Sequence, residues 1–228
     1  MRYTDWSFTA PDGSRHADSA LWLGESGPRL LIVPALLDEG HRLRRLSVEV
    51  MRRLANSGIT CILPDLPGTG DSDFPLEQAD LALWRKAMGD LAQDTGAQAV
   101  FALRGGALAA PEGLAGWHYA PIKGASILRQ LIRARIIASR EAGVEERQDA
   151  LMEQGRAQGL ELAGYRLGAA MIAQLGGAQP ATEGVSPIDQ ELVSGAPLWL
   201  RAEPGESREQ ADALAAILAI GLRDGAKA

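Results

Sequence analysis

Three compact apolar runs, each ended by a turn, do most to limit what this chain can fold into. They are Leu30 to Val33, Ile59 to Leu63 and Gln98 to Leu103. Short runs with almost no polar alternation mark strands buried on both faces, as in a parallel sheet. Helical patterns over residues 42–56 and 77–94 separate them. In the first, Leu43, Leu46, Val50 and Leu54 recur at spacings of three and four, with Arg44, Arg45, Arg52 and Arg53 largely off that stripe. Ser57-Gly58 ends it, since glycine takes the left-handed conformation that closes a helix. In the second, Leu81, Trp84, Met88 and Leu91 share a face. Strands alternating with helices predict a mostly parallel α/β sheet flanked by helices on both sides.

The flanking segments extend this plan. Residues 3–9 and 19–24 read as strands around the turn Pro11-Asp12-Gly13-Ser14, an antiparallel start to the sheet. A short strand is expected over 116–120, ended by Pro121. Helical patterns over 124–141, 144–158 and 166–175 then break the alternation. A helical lid inserted over residues 124–175, above the carboxyl end of the sheet, is the simplest reading, because clefts of open α/β sheets lie there. Residues 176–196 are rich in Gly, Pro, Ser and Thr and read as loop, 197–202 as a last strand and 207–223 as a last helix. Ser207 with Gln210 three residues on has the spacing of a capping box. A single domain accommodates all 228 residues.

Composition excludes some functions. A net charge of −6 argues against nucleic-acid binding, which needs a basic face. The one cysteine, Cys61, lies in a buried strand, so no internal disulfide forms and a reducing, cytoplasmic setting is expected. The N-terminus opens no apolar signal-peptide core, and no apolar stretch reaches the ~20 residues of a membrane span.

The third run leads into Ala102-Leu103-Arg104-Gly105-Gly106-Ala107. An apolar strand, a tight small-residue turn and a helix start make up the nucleophile elbow of the α/β-hydrolase fold, Gly-x-Ser-x-Gly, in which a strained turn lifts a serine into the cleft. Here the serine position holds Arg104. A guanidinium stays protonated and is no nucleophile. Two roles are open to it. At a helix start it can grip a carboxylate or phosphate, with Gly105, Leu36 and Leu37 as the accompanying ligand-binding residues. Alternatively it pairs internally with Asp38, Glu39 or an acid near the last strand, closing an inactive cleft. The loop Asp65-Leu66-Pro67-Gly68-Thr69-Gly70-Asp71-Ser72 is close to the Asp-x-x-Gly-x-Gly-x-Ser loop of the same fold, and lacks the Gly-Lys-Ser/Thr ending of a phosphate loop.

A triad in this fold needs a histidine after the acid. The three histidines are His16, His41 and His118, so that late histidine is missing, although Glu203 or Glu206 could serve as an acid. The chain also runs out without a further strand–loop–helix, so a truncated C-terminal end of the sheet is expected, with a free edge suited to a homodimer. His41, after Asp38-Glu39-Gly40, is expected in the loop that shapes the oxyanion hole, and Asp38, Glu39 and His41 are the candidates for activating a water. Ser72, Ser126 and Ser7 are the remaining nucleophile candidates. No second cluster with ligand spacing accompanies Asp38, Glu39 and His41, so no metal or other cofactor is expected. Arg129, Arg133 and Arg140 lie roughly on one face of the 124–141 helix, as a solvated edge or a second anion-attracting wall.

Taken together, Pro34 with Asp38-Glu39 and Arg44-Arg45, the Asp65-to-Ser72 loop, Leu103-Arg104-Gly105-Gly106-Ala107, Pro121-x-x-Gly124, the Leu131-to-Arg135 helix and Ala163-Gly164-Tyr165-x-Leu167 resemble the second of the hydrolase-like families encoded beside exosortase A. The similarity runs from about residue 28 to 175, and its most specific mark is the Leu-Arg-x-Gly elbow. The resemblance implies an α/β-hydrolase fold, bacterial cytoplasm and a link to exopolysaccharide synthesis or protein sorting, with no established reaction. The segment from the elbow to Trp117 is short and contains Pro111, so the helix after the elbow is expected to be clipped. The expected function is non-catalytic binding of an anionic or acyl small molecule, or of a partner protein. The alternative is a noncanonical ester or thioester hydrolase or acyltransferase.

Overall fold

A computed structural model describes residues 1–225. The chain opens with a hairpin of β1 (Arg2–Thr9) and β2 (Arg15–Leu23), followed by β3 (Arg29–Val33), α1 (Asp38–Asn56), β4 (Thr60–Pro64), α2 (Leu81–Thr95) and β5 (Ala99–Leu103). A 3-10 turn over Arg104–Leu108 leads to β6 (Gly116–Tyr119). Then come α3 (Gly124–Glu141), α4 (Gln148–Gln158), the small hairpin β7 (Leu160–Leu162) and β8 (Tyr165–Leu167), and α5 (Ala169–Gly177). β9 (Val185–Ile188), α6 (Gln190–Val193), a 3-10 turn over Leu198–Leu200 and α7 (Arg208–Gly225) complete it.

The main sheet has the order β1-β2-β4-β3-β5-β6-β9. β1 and β2, and β2 and β4, pair antiparallel; every other pair is parallel. With the elbow after β5, this is the α/β-hydrolase architecture: a mostly parallel sheet flanked by helices, with a helical insertion. The three apolar runs bury both faces as their composition requires. Leu30, Ile32, Phe101 and Leu103 face the core under α1 and α7, while Leu31, Val33, Val100 and Ala102 face the core under α2 and the inserted segment. That segment, between β6 and β9, contains α3, α4, the β7–β8 hairpin and α5, and packs into the second core.

The structure corrects several expectations. α1 begins at Asp38 rather than residue 42, so Asp38, Glu39 and His41 stand in its first turn and not in a loop. Its N-cap is Leu37, with no side-chain cap, so the acidic pair Asp38 and Glu39 is the only start signal the sequence carries there. α2 begins at Leu81 rather than 77, because Asp80 caps it: Leu83 N donates to Asp80 Oδ1 at 2.7 Å. The stretch 197–202 is no strand. Its Leu-Trp-Leu forms a 3-10 turn after Pro197, and the seventh strand comes from β9, inside the expected loop. The hairpin β7–β8 was not anticipated; its two-residue turn, Ala163-Gly164, has positive φ at both positions, as a type I′ turn requires. Ser207 Oγ accepts from Gln210 N at 3.3 Å, but the Gln210 side chain turns to the Ser194 and Ala196 carbonyls, so the capping box is half formed.

Candidate functional site

The elbow is present in geometry. Arg104 has φ 52°, in the left-handed region that costs a non-glycine residue about 1–2 kcal/mol. The two glycines after it are there for space. A Cβ on Gly106 would stand 2.2 Å from the Pro34 carbonyl oxygen, and one on Gly105 2.8 Å from Ile127 Cδ1 and 3.0 Å from Leu36 Cγ. Lid helix α3 and the chain after β3 therefore close directly on the turn. The helix that should follow is clipped to one 3-10 stretch, as the short segment and Pro111 predict.

The Arg104 guanidinium points inward, and each of its three nitrogens donates a hydrogen bond. Nε and Nη2 donate to the two Glu39 oxygens, Oε2 and Oε1, each at 3.0 Å. Nη1 donates to the Ala120 carbonyl at 2.8 Å, and Cζ sits 4.2 Å from the centroid of the Trp199 ring. The Arg104 side chain is 10% exposed and that of Glu39 17%. Such a forked, charge-assisted pair is strong once formed, and costly to break when it is shielded from water. Of the acids the sequence left open, Glu39 is the partner. Asp38 pairs instead with Arg42, whose Nη1 donates to the Trp199 carbonyl at 2.8 Å.

This cluster straddles the point where the strand order reverses, between β3 and β5, where ligands of open α/β sheets bind. Three non-glycine residues with positive φ gather there, each in the connection after a parallel strand: Leu37 (φ 54°), Arg104 and Ala120 (φ 44°). Backbone strain of this kind concentrates at functional sites and persists only where neighbours over-determine it. Trp199 was missed because its stretch reads as a strand; a lone Pro-Leu-Trp in a loop-rich region was the available signal. Tyr119 stacks edge-on against Trp199 and donates to Gln190 Oε1, and burial raises its phenol pKa.

Most of the other nominated side chains do not join the cluster. Leu36 packs against Gly105, and Leu37 is buried at the edge of the recess that His41 borders. His41 is exposed, beside a shallow recess of about 270 Å³ shared with Pro34, Arg44 and Asp65, where Arg44 pairs with Asp65 at 2.7 Å. Ser72 Oγ donates to Asp18 Oδ2 at 2.8 Å and accepts from Gly68 N and Phe74 N, which pins the Asp65-to-Ser72 loop. Burial, the larger effect, raises the Asp18 pKa against that bond. Ser7 Oγ accepts from Arg15 on the exposed first hairpin, and Ser126 lies in the first turn of α3. The one serine–histidine hydrogen bond among the described residues joins Ser14 to His16 at 2.9 Å, in an exposed turn. Ser14 also donates to Asp12 at 2.6 Å, so the serine rather than the histidine is central and no proton relay results. Glu206 pairs with Arg45, and Glu203 is exposed.

Cys61 is buried, and burial pushes its thiol pKa up to about 12. No group of three His, Cys, Asp or Glu side chains that could hold a metal occurs among the described residues, and no described helix is long and apolar enough to cross a membrane. Arg129, Arg133 and Arg140 are exposed on α3, while Arg135 on the same helix grips Glu146 with two donors, at 2.8 and 2.7 Å. His118 is 1% exposed, neither ring nitrogen has a hydrogen-bond partner in the protein, and burial lowers its pKa.

No protein-family model matches the chain, and no curated protein does. Solved structures do. The α/β hydrolase GrgF from Penicillium sp. sh18 aligns over 64% of this chain and 57% of its own, at 20% identity and a TM-score of 0.42. The protein Rv0554 from Mycobacterium tuberculosis aligns over 67% and 58%, at 16% identity and a TM-score of 0.48. Epoxide hydrolase A from Mycobacterium thermoresistibile aligns over 57% and 45%, at 19% identity and a TM-score of 0.40. The aligned stretch thus spans 45–58% of these three chains, and the likeness is one of fold.

Proposed function

We propose that this protein is a non-catalytic user of the α/β-hydrolase fold, which works by binding a small anionic or acyl molecule or a partner protein without breaking a bond. One observation carries the reading: the position that should present a nucleophile holds Arg104, locked onto Glu39 and covered by Trp199. An external carboxylate or phosphate would have to compete with Glu39 for the forked edge of this guanidinium, so the arginine serves the scaffold first. Asp38, Glu39 and His41, the residues that would activate a water, are respectively paired with Arg42, paired with Arg104 and turned to solvent. The resemblance to the exosortase-linked family directs the search for a partner to exopolysaccharide synthesis and protein sorting in the bacterial cytoplasm.

The test is a panel of aryl esters and acyl thioesters, with a fluorophosphonate serine probe, run on the wild-type protein, Arg104→Ala and Glu39→Gln. No labelling and no turnover in any of the three is expected. Turnover without labelling that disappears in both variants would overturn the proposal. It would establish a water-based ester or thioester hydrolase that uses the arginine to hold the developing oxyanion.

A further inference from the structure

The clipped helix after the elbow leaves space on one face of the sheet. The chain from Ala109 to Ala115 runs as a loop through Pro111 and Gly113 instead of continuing the helix. Between this loop, α2 and the segment entering β9 lies a crevice of about 540 Å³, within the range of small-molecule sites. Its walls are mixed, with Ala107, Leu108, Leu114 and Val185 supplying the apolar part. Arg85, Glu112 and Glu183 also line it; Arg85 Nε is spent on the Leu108 carbonyl at 2.8 Å.

His118 belongs to this crevice. On β6 its neighbours Trp117 and Tyr119 pack into the core under α1 and α7, so its ring lies on the opposite face. There it is paired in register with Ala102 and borders the crevice. Buried polar groups are nearly always hydrogen-bonded, and each exception calls for an explanation. Two orphaned nitrogens on one ring, at the edge of a cavity, are such an exception. The main packing of the protein gives them no partner.

From this geometry we infer that the crevice is a binding site for a small uncharged amphiphile, a hydroxyl or primary amide on a short apolar body, with His118 as the group that receives the polar head. A neutral imidazole offers one donor and one acceptor, which a hydroxyl or amide complements. The apolar part of the walls accepts the body. Burial, which lowers the His118 pKa, favours the neutral ring, so a carboxylate head would meet no charge at His118 and lose its hydration, while the one guanidinium of the lining, Arg85, is outnumbered by Glu112 and Glu183. Because so little of the ring is exposed, the head group reaches it only as the crevice wall yields slightly. The inference does not depend on the elbow being inactive.

The experiment is a titration of the full-length, ¹⁵N-labelled protein with 1-hexanol, hexanamide and hexanoate, following the imidazole nitrogens by long-range ¹⁵N–¹H correlation. His16 and His41 serve as internal controls away from the crevice. Saturable shifts of the His118 nitrogens alone are expected for the alcohol and the amide, with hexanoate at least tenfold weaker. Leu114→Trp, a half-buried wall position, should weaken the response at least tenfold. His118→Phe, tested by thermal shift, should lose the preference for amide over carboxylate. The site is refuted if no probe moves His118, if all three histidines move together, if hexanoate binds as well as hexanamide, or if Leu114→Trp leaves the titration unchanged.

Discussion

Removing Glu39 is the sharpest test of how the elbow is held. In Glu39→Ala the Arg104 guanidinium keeps the Ala120 carbonyl and the Trp199 face but loses both carboxylate bonds. Breaking a buried ion pair from one side costs about 3–5 kcal/mol; with the Glu39 side chain 17% exposed, about 3 kcal/mol is the expected loss. Arg104→Ala forfeits the same bonds and the aromatic contact, but the carboxylate it strands can reach water, so about 2–3 kcal/mol is expected. Arg104→Gly relieves the backbone at φ 52° and should be about 1 kcal/mol more stable than Arg104→Ala. Replacing both partners, Glu39→Leu with Arg104→Met, should cost far less than the sum of the single changes. Guanidinium denaturation of the five proteins measures all of this. A Glu39→Ala loss below about 0.5 kcal/mol, or an Ala variant as stable as the Gly variant, would refute the picture of a strained turn held by a shielded pair.

Other consequences can be measured on the same footing. Asp80 caps α2 and also accepts from Gln174 Nε2 at 2.9 Å, joining the helix to α5; Asp80→Ala should cost about 1–2 kcal/mol by urea denaturation, and Asp80→Asn much less. Gly106→Ala drives a Cβ to 2.2 Å from a backbone oxygen and should destabilise by more than about 2 kcal/mol, whereas Gly89→Ala, with open space inside α2, should gain up to about 1 kcal/mol; equal melting temperatures for the two would contradict this. The lowered pKa of His118 means that the unfolded chain binds the proton more readily, so its contribution is complete above about pH 6.5 and is lost as pH falls through the folded-state value. Urea midpoints from pH 7.5 to 5 should therefore fall more steeply for the wild type than for His118→Phe, and parallel curves would rule this out.

What the sequence made legible follows from where local and tertiary preferences agree. The buried strands β3, β4 and β5 and the helix α3 announce themselves because burial on both faces, or on one helical stripe, leaves a periodic mark. β9 left none: four residues with Pro187 among them read as loop. The carbonyls of Gly184 and Ile188 accept from Gly116 N and Ala120 N, so Val185 and Pro187 face the free side of the strand. An edge that lacks a donor at Pro187 is a poor template for further pairing, which works against a homodimer built by extending this edge. The start of α1 was hidden for a different reason. Asp38-Glu39-Gly40 has the composition of a loop, and Glu39 is held in the helix by an arginine 65 residues away.

The same long-range contact explains why the elbow could be recognised but its role could not. The Leu-Arg-Gly-Gly pattern fixes a strained turn whatever stands at its apex, and leaves open which way the side chain points. Direction is decided by Glu39 on α1, Ala120 after β6 and Trp199 before α7, three partners from three parts of the chain. A turn that had merely lost its serine would keep this strain with no side-chain bonds to offset it. Instead, the one side chain able to fork onto a carboxylate, reach a carbonyl and stack on an indole occupies it. The turn that serves catalysis in this fold by pushing a group outward here draws three elements inward, and the strain at Arg104 is balanced by bonds that only an arginine can make all at once.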